Sequence, residues 1–248
     1  MKYWVRVLSV MLVAASVYGF QSAEKEKNNK DVSDWNGVYK GSQTTDGKEV
    51  IFVLYLKNDF TYVLKSMEKG DSVVVESNGN LSWNKAGNEV TIESSENKQK
   101  IVYKRNGNVL EKMKANKKAV ESETYQLHRI NLQEITDKYW QLIEVDGNAA
   151  NGTYMKEPYL VVVKEGDRIY GSSECNTFNG RYNIAETNQI RFYKIASSMA
   201  ACLDMKLETK LFQSLQSADN YEISEDGEYL SLNKAKSTLA RFEVNYFK

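Results

Sequence analysis

The sequence predicts a mainly β protein: two tandem antiparallel β-barrel-like domains, the second with one main amphipathic helix near residues 204–217. Three observations carry this prediction. Strand-forming side chains are abundant, with 16 Tyr, 8 Phe and 4 Trp in 248 residues and many Val and Ile. A single proline leaves the tight turns to Asn and Gly, the residues that hairpins favour. Apolar residues recur at helical spacing in one segment alone, while elsewhere they fall at period two or in short runs.

The chain opens on a basic start, Lys2 and Arg6, followed by an apolar run from Val7 to Val17. That run of about eleven residues fits the apolar region of a secretory signal and is short for a bilayer span. Val17-Tyr18-Gly19 places small residues where a cleavage site needs them, so residues 1–19 are expected to be removed. Loss of Lys2 and Arg6 leaves 31 basic against 33 acidic residues, a net charge of −2. That balance gives no electrostatic reason to bind nucleic acid or an anionic membrane. No cysteine precedes Cys175, so no lipid anchor is expected, nor any transmembrane span. Residues 20–33 are polar and charged and read as a flexible tether.

Residues 34–130 form the first expected domain. Glu49 to Leu56 reads as a strand with Val50, Phe52, Leu54 and Leu56 on one face. Further strands are expected at Phe60–Lys65, Ser72–Glu76, Leu81–Trp83, Glu89–Glu93, Gln99–Lys104, Val109–Met113 and Tyr125–Leu127. Asn78-Gly79-Asn80 and Asn106-Gly107-Asn108 read as turns. About eight short antiparallel strands in succession suggest an up-and-down barrel or a strongly curved sheet.

Trp35-Asn36-Gly37-Val38-Tyr39-Lys40-Gly41, Leu54-Tyr55-Leu56, Asp59-Phe60-Thr61-Tyr62 and Gly79-Asn80-Leu81-Ser82-Trp83 resemble the N-terminal barrel of the NlpE family of copper-responsive envelope lipoproteins. That family carries a C-x-x-C pair just after its first strand. Here Ser42-Gln43-Thr44-Thr45-Asp46-Gly47 stands in that place without sulfur, so a copper or redox role tied to the pair is not inherited.

Residues 131–248 form the second domain, entered through a short linker at 130–138. Strands are expected at 140–145, 159–163, 168–172, 179–184, 189–192, 221–224, 229–232 and 239–243. Leu203, Leu207, Leu211, Phe212 and Leu215 share one helical face, with Asp204 placed as an N-cap or first-turn acid. This helix is expected to pack across an open end or face of the sheet.

Two half-motifs frame the only two cysteines. The first runs Gly171-Ser-Ser-Glu-Cys175-Asn176-Thr-Phe178-Asn179-Gly180-Arg-Tyr182; the second runs Ser198-Met-Ala-Ala201-Cys202, followed by Glu208, Phe212 and Leu215. Together they resemble the META domain of HslJ-like envelope proteins, which shows G-x-x-G-C-N-x-F-x-G-x-Y, then T-x-M-A-C, then E-x-x-F-x-x-x-L. Glu174 stands where that family has glycine, which implies a different local backbone.

Cys175 and Cys202 read either as a disulfide of an oxidising compartment or as two buried thiols, and apolar Met199-Ala200-Ala201 favours a buried second cysteine. A catalytic thiol lacks a partner, because the single histidine, His128, falls in the first domain and reads as an edge-strand surface residue. One His and no C-x-x-C leave a zinc or copper site short of soft ligands. Asn176, Asn179 and Gly180 read either as a recognition loop or as a tight turn with positive φ. Glu208 reads either as a partner of a neighbouring strand or as exposed. Trp35, Tyr39, Phe52, Tyr62 and Trp83 line a cavity in the first barrel or fill its core. No nucleophile-elbow, P-loop, zincin or dinucleotide motif occurs, so neither enzyme activity nor a cofactor or metal is expected.

The expectation is an exported, soluble, non-catalytic protein of the periplasm or medium, whose resemblances imply envelope stress or resistance. It would bind an unknown envelope protein through exposed sheet edges or a concave face. The alternative is a carrier of a small apolar ligand in the first, lipocalin-like barrel.

Overall fold

The architecture comes from a computed structural model of the chain, which describes residues 35–114, 124–152, 154–185, 188–200 and 205–248. The expected signal segment and tether lie outside these residues, as do Ala201, Cys202, Leu203 and Asp204.

Eight strands follow one another around a closed barrel. They are β1 (Gly37–Thr45), β2 (Lys48–Leu56), β3 (Thr61–Glu68), β4 (Val75–Trp83), β5 (Glu89–Ser94), β6 (Lys100–Asn106), β7 (Val109–Lys112) and β8 (Gln126–Arg129). β8 closes onto β1, Tyr39 opposite Arg129 and Lys40 opposite His128. Closure leaves no barrel edge, so His128 is exposed but not on an edge strand. The β1–β2 hairpin turns on Asp46 (φ 52°) and Gly47 (φ 78°), the two left-handed residues of a tight hairpin.

Two expected features of this domain are corrected. Asn78-Gly79-Asn80 is not a turn: β4 runs through it as one strand, and Ser72–Val74 precede that strand. A Cβ on Gly79 would lie 2.0 Å from the Glu93 carbonyl oxygen, so the glycine serves the close approach of β5. Phe60 is a turn residue, 53% exposed at φ 61°, rather than the start of β3.

The second domain is one nine-stranded sheet. Its strands are β9 (Tyr139–Val145), β10 (Asn148–Ala149), β11 (Tyr159–Val163), β12 (Arg168–Ser172), β13 (Thr177–Ile184), β14 (Ile190–Ser197), β15 (Asn220–Ile223), β16 (Tyr229–Lys234) and β17 (Ser237–Val244). Their order is β14-β13-β12-β11-β9-β17-β16-β15, with β10 beside β9. The sheet curls until its end strands nearly meet: Gln189 bridges Asn220, and the Ile190 N–H donates to the Asp219 carbonyl at 3.1 Å.

Helix α1 (Lys206–Ser217) packs against β14, β9, β16 and β17, with Leu211 and Leu215 buried in the same core as Trp140, Leu160, Phe178 and Phe242. It matches the helix expected near 204–217. Met205 is its N-cap residue and gives no side-chain capping bond; Leu203 and Asp204 fall outside the described residues. Among the described residues no helix is long and apolar enough to cross a membrane.

The expected linker is part of the packing. Ile135 is buried and accepts the Trp140 indole N–H at 2.8 Å, and Lys138 donates to the Leu132 carbonyl at 2.8 Å. Tyr246, near the C-terminus, packs with Val38 of β1 and Val53 of β2 on the outside of the barrel, joined by Tyr55, Leu132 and Phe247. This contact explains why β2 (KEVIFVLYL) is apolar on both faces: Leu54 and Leu56 point into the barrel core, while Val53 is covered by the second domain.

Candidate functional site

The motif residues around Cys175 meet in a buried polar knot. The four-residue loop between β12 and β13, Ser173 to Asn176, folds back so that the Ser173 N–H donates to the Asn176 carbonyl at 2.8 Å. The Asn176 carboxamide uses both ends. Its Oδ1 accepts from Ser198 Oγ at 2.8 Å and from the Ala200 N–H at 2.9 Å. Its Nδ2 donates to Glu208 at 3.0 and 3.2 Å and lies 3.4 Å from the Ala200 carbonyl. Ser173 Oγ donates to Glu208 Oε2 at 2.5 Å, the same oxygen that takes the shorter Asn176 bond. Glu208 is buried, and no cation among the described residues pairs with it. Its place in the first turn of α1 supplies the compensating positive potential.

One side chain thus joins a hairpin loop, the segment after β14 and the start of the helix, which is a structural reason for C-N, T-x-M-A-C and E to occur together. Beside the knot, Phe178 packs edge-on against Phe212, centroids 5.5 Å apart. Cys175 is disulfide-bonded, and Cys202, the partner expected from the sequence, lies outside the described residues. Met199, in the apolar flank before that cysteine, is 97% exposed.

The glycine-like conformation of the motif survives without glycine: Glu174 has φ 99°. Asn176, Asn179 and Gly180 do not have positive φ; Gly180 instead faces a bulge. On β14 the pairing jumps from Ala196, opposite Asn179, to Tyr193, opposite Arg181. Lys194 takes φ 52° in the bulge, and a Cβ on Gly180 would crowd Ile169, Ile195 and the Tyr193 carbonyl at 3.2 Å. Phe178 and Tyr182 point into the core on either side of it.

The five aromatics of the first barrel belong to its core. Trp35, Tyr39 and Tyr62 are buried with Leu54, Leu81 and Leu127, and Phe52 and Trp83 pack against them. Trp35 contacts Trp83 at 5.6 Å, Phe52 stacks on Tyr125 at 4.3 Å, and the Tyr39 hydroxyl donates to the Trp35 carbonyl at 2.8 Å.

A groove of about 570 Å³ lies on the outer face of the second sheet. Val161 and Val163 of β11 lie between Tyr139 of β9 and Tyr170 of β12, with Lys138, Arg168, Asn179 and Lys248 around them. Tyr139 stacks on Tyr159 at 4.3 Å, and Tyr170 meets Tyr159 edge-on at 6.4 Å. Burial, and next the Glu157 carboxylate, push the Tyr139 hydroxyl well above the usual phenol range. Burial pulls the Lys138 amine down to about 8. The outward tyrosines escape sequence reading because a strand that alternates aromatic and aliphatic residues does not reveal which side faces the core. The register settles it, since Leu160 and Val162 fill the core and Tyr159 and Val161 do not.

Residues 133–246 match the model of the META domain, and residues 35–123 match that of the NlpE N-terminal domain. Among solved structures, a candidate lipoprotein from Shewanella oneidensis is 24% identical, over 40% of this chain and 91% of its own, with a TM-score of 0.32. The Cpx pathway activator NlpE from Escherichia coli is 12% identical, over 59% of this chain and 83% of its own, with a TM-score of 0.30. No curated protein matches the chain.

Proposed function

We propose that this chain, an NlpE N-terminal domain joined to a META domain, is an exported, non-catalytic binding module of the cell envelope that acts through its surface. The observation that carries the reading is the groove on the outer face of the META sheet. There three tyrosines contact one another beside an apolar floor on the solvent side of rigid strands. The motif side chains most suggestive of chemistry are instead spent on one another in the buried knot. The packed barrel core gives the ligand-carrier alternative no support. The two family matches and the expected signal segment support an envelope location and a role in envelope stress.

Photo-cross-linking in intact envelopes tests this reading. A photoreactive phenylalanine analogue at Tyr170 should give a discrete adduct, and the same probe at exposed Lys104 on the barrel should not. Equal labelling at the two positions, or none at Tyr170, overturns it.

A further inference from the structure

The charges of the META domain are segregated. Strands β11 to β14 contain no Asp or Glu, yet they carry Arg168, Arg181, Arg191 and Lys194, in a chain whose formal net charge is zero. The three arginines are exposed on the outer face, where Arg168 and Arg181 stand directly opposite each other on neighbouring strands. Like charges so placed destabilise a sheet. Arg181 spends one N–H on the Gly166 carbonyl at 2.8 Å, while Arg168 and Arg191 have no ion-pair partner among the described residues. Tyr193 continues the same cross-strand row beyond Arg181, and Tyr170 stands in the next row. Both rings are exposed, 44% and 47%. Acids lie at the margins and not on these strands: Asp137 and Asp167 in turns, Asp219 beside Arg191 and Glu157 beside Tyr139.

We infer that this face binds an extended acidic segment of a partner polypeptide, carboxylates on the arginines and apolar or aromatic side chains against the tyrosines. This identification of the partner rests on the binding-module reading above. Guanidiniums present planar, paired donors that match carboxylates, so a donor-rich face calls for an acceptor-rich ligand. Sugar hydroxyls also need acceptors, and these strands offer no carboxylate. Size argues for a segment rather than a globular surface. Four strands span about 14 Å, and with a length of about 20 Å the face covers about 300 Å², well under the ~800 Å² each partner gives to a standard interface.

The test is fluorescence anisotropy with a labelled ten-residue peptide of alternating Glu and Tyr, its Gln–Tyr counterpart, and polygalacturonate as competitor. The acidic peptide should bind at least about tenfold more tightly than the Gln–Tyr peptide and weaken as salt rises. Arg168→Gln/Arg181→Gln/Arg191→Gln should lose that difference, while Lys48→Gln/Lys104→Gln on the barrel should keep it. The single variant Arg168→Gln relieves the like-charge pair and should melt no lower than the wild type, which separates lost binding from lost folding. Equal binding of both peptides, or an unaffected triple variant, overturns the inference. Polygalacturonate binding more tightly than the acidic peptide overturns it in favour of an anionic glycan. Adducts at Tyr170 in envelopes alongside failed peptide binding would sink this inference and leave the binding-module reading standing.

Discussion

Asn176→Asp exchanges one NH₂ group for oxygen in the middle of the buried knot and changes almost nothing else. The retained Oδ1 can still accept from Ser198 and the Ala200 N–H. The other end, which donates to Glu208 at 3.0 Å, becomes a second carboxylate facing the first. Two like charges at that distance repel by about 5–6 kcal/mol at an effective dielectric of 20. The protein can escape by binding one proton. Neutralising a carboxyl of ordinary acidity costs about 4 kcal/mol at pH 7 and about 1.5 kcal/mol at pH 5. The protonated group then donates to its neighbour much as the amide did. The smaller cost wins at each pH, so the variant should lose about 4 kcal/mol at pH 7 and under about 2 kcal/mol at pH 5. The sign follows from linkage: the shared proton is held more tightly folded than unfolded, so its stabilisation is present at low pH and lost as pH rises. Urea unfolding of wild type and variant at both pH values, with slopes compared, measures the difference. A loss of the same size at pH 5 and pH 7, or under about 1 kcal/mol at pH 7, would refute the claim that Asn176 acts as the neutral donor to a buried carboxylate.

Other outcomes follow from the same geometry. Reduction under denaturing conditions should add about two daltons to the intact mass, and Cys175→Ser should cost about 3–4 kcal/mol for a closed loop of about 27 residues if the bond runs to Cys202. An unchanged mass would mean that no intramolecular bond is present. Tyr103, Tyr125, Tyr55 and Tyr246 are all held above the usual phenol range, mainly by burial. Their contribution is complete below about pH 10 and is lost as pH rises beyond it, so melting temperature should fall steeply on alkaline titration. Replacing Tyr103 and Tyr125 together by Phe should flatten that fall, and an unchanged alkaline slope would assign the loss to other groups.

The sequence is most legible where local chemistry decides the outcome. Strand after strand of the barrel is readable from alternation, and the Asn106-Gly107-Asn108 turn between β6 and β7 needs no tertiary information, because the left-handed φ of 58° at Gly107 already selects the residue. Gly79 shows where this logic fails. Asn-Gly means a turn only if nothing else demands the glycine, and here the Glu93 carbonyl, a contact from another strand, does. The motif around Cys175 is legible as a pattern but not as a mechanism. Only the fold shows that Asn176, Ser198 and Glu208 are three ends of one hydrogen-bonded knot.

That knot bears on where function can reside. A buried carboxylate held by an amide, a hydroxyl and a helix terminus has few spare bonds for a ligand, so the residues that make the motif recognisable hold the curled sheet in shape. What they hold in shape is the outer face of β11 to β14. Its arginines and tyrosines belong to no motif, and their arrangement depends on the bulge at Lys194 and the close packing at Gly171 and Gly180. A Cβ on Gly171 would fall 2.1 Å from the Tyr159 carbonyl and 2.5 Å from the Phe178 ring, so even alanine there forces β11 and β12 apart. Tyr159 and Tyr170 stand on those two strands. The exposed side chains of these strands can be exchanged without disturbing that frame, whereas Gly171, Gly180 and the buried knot cannot.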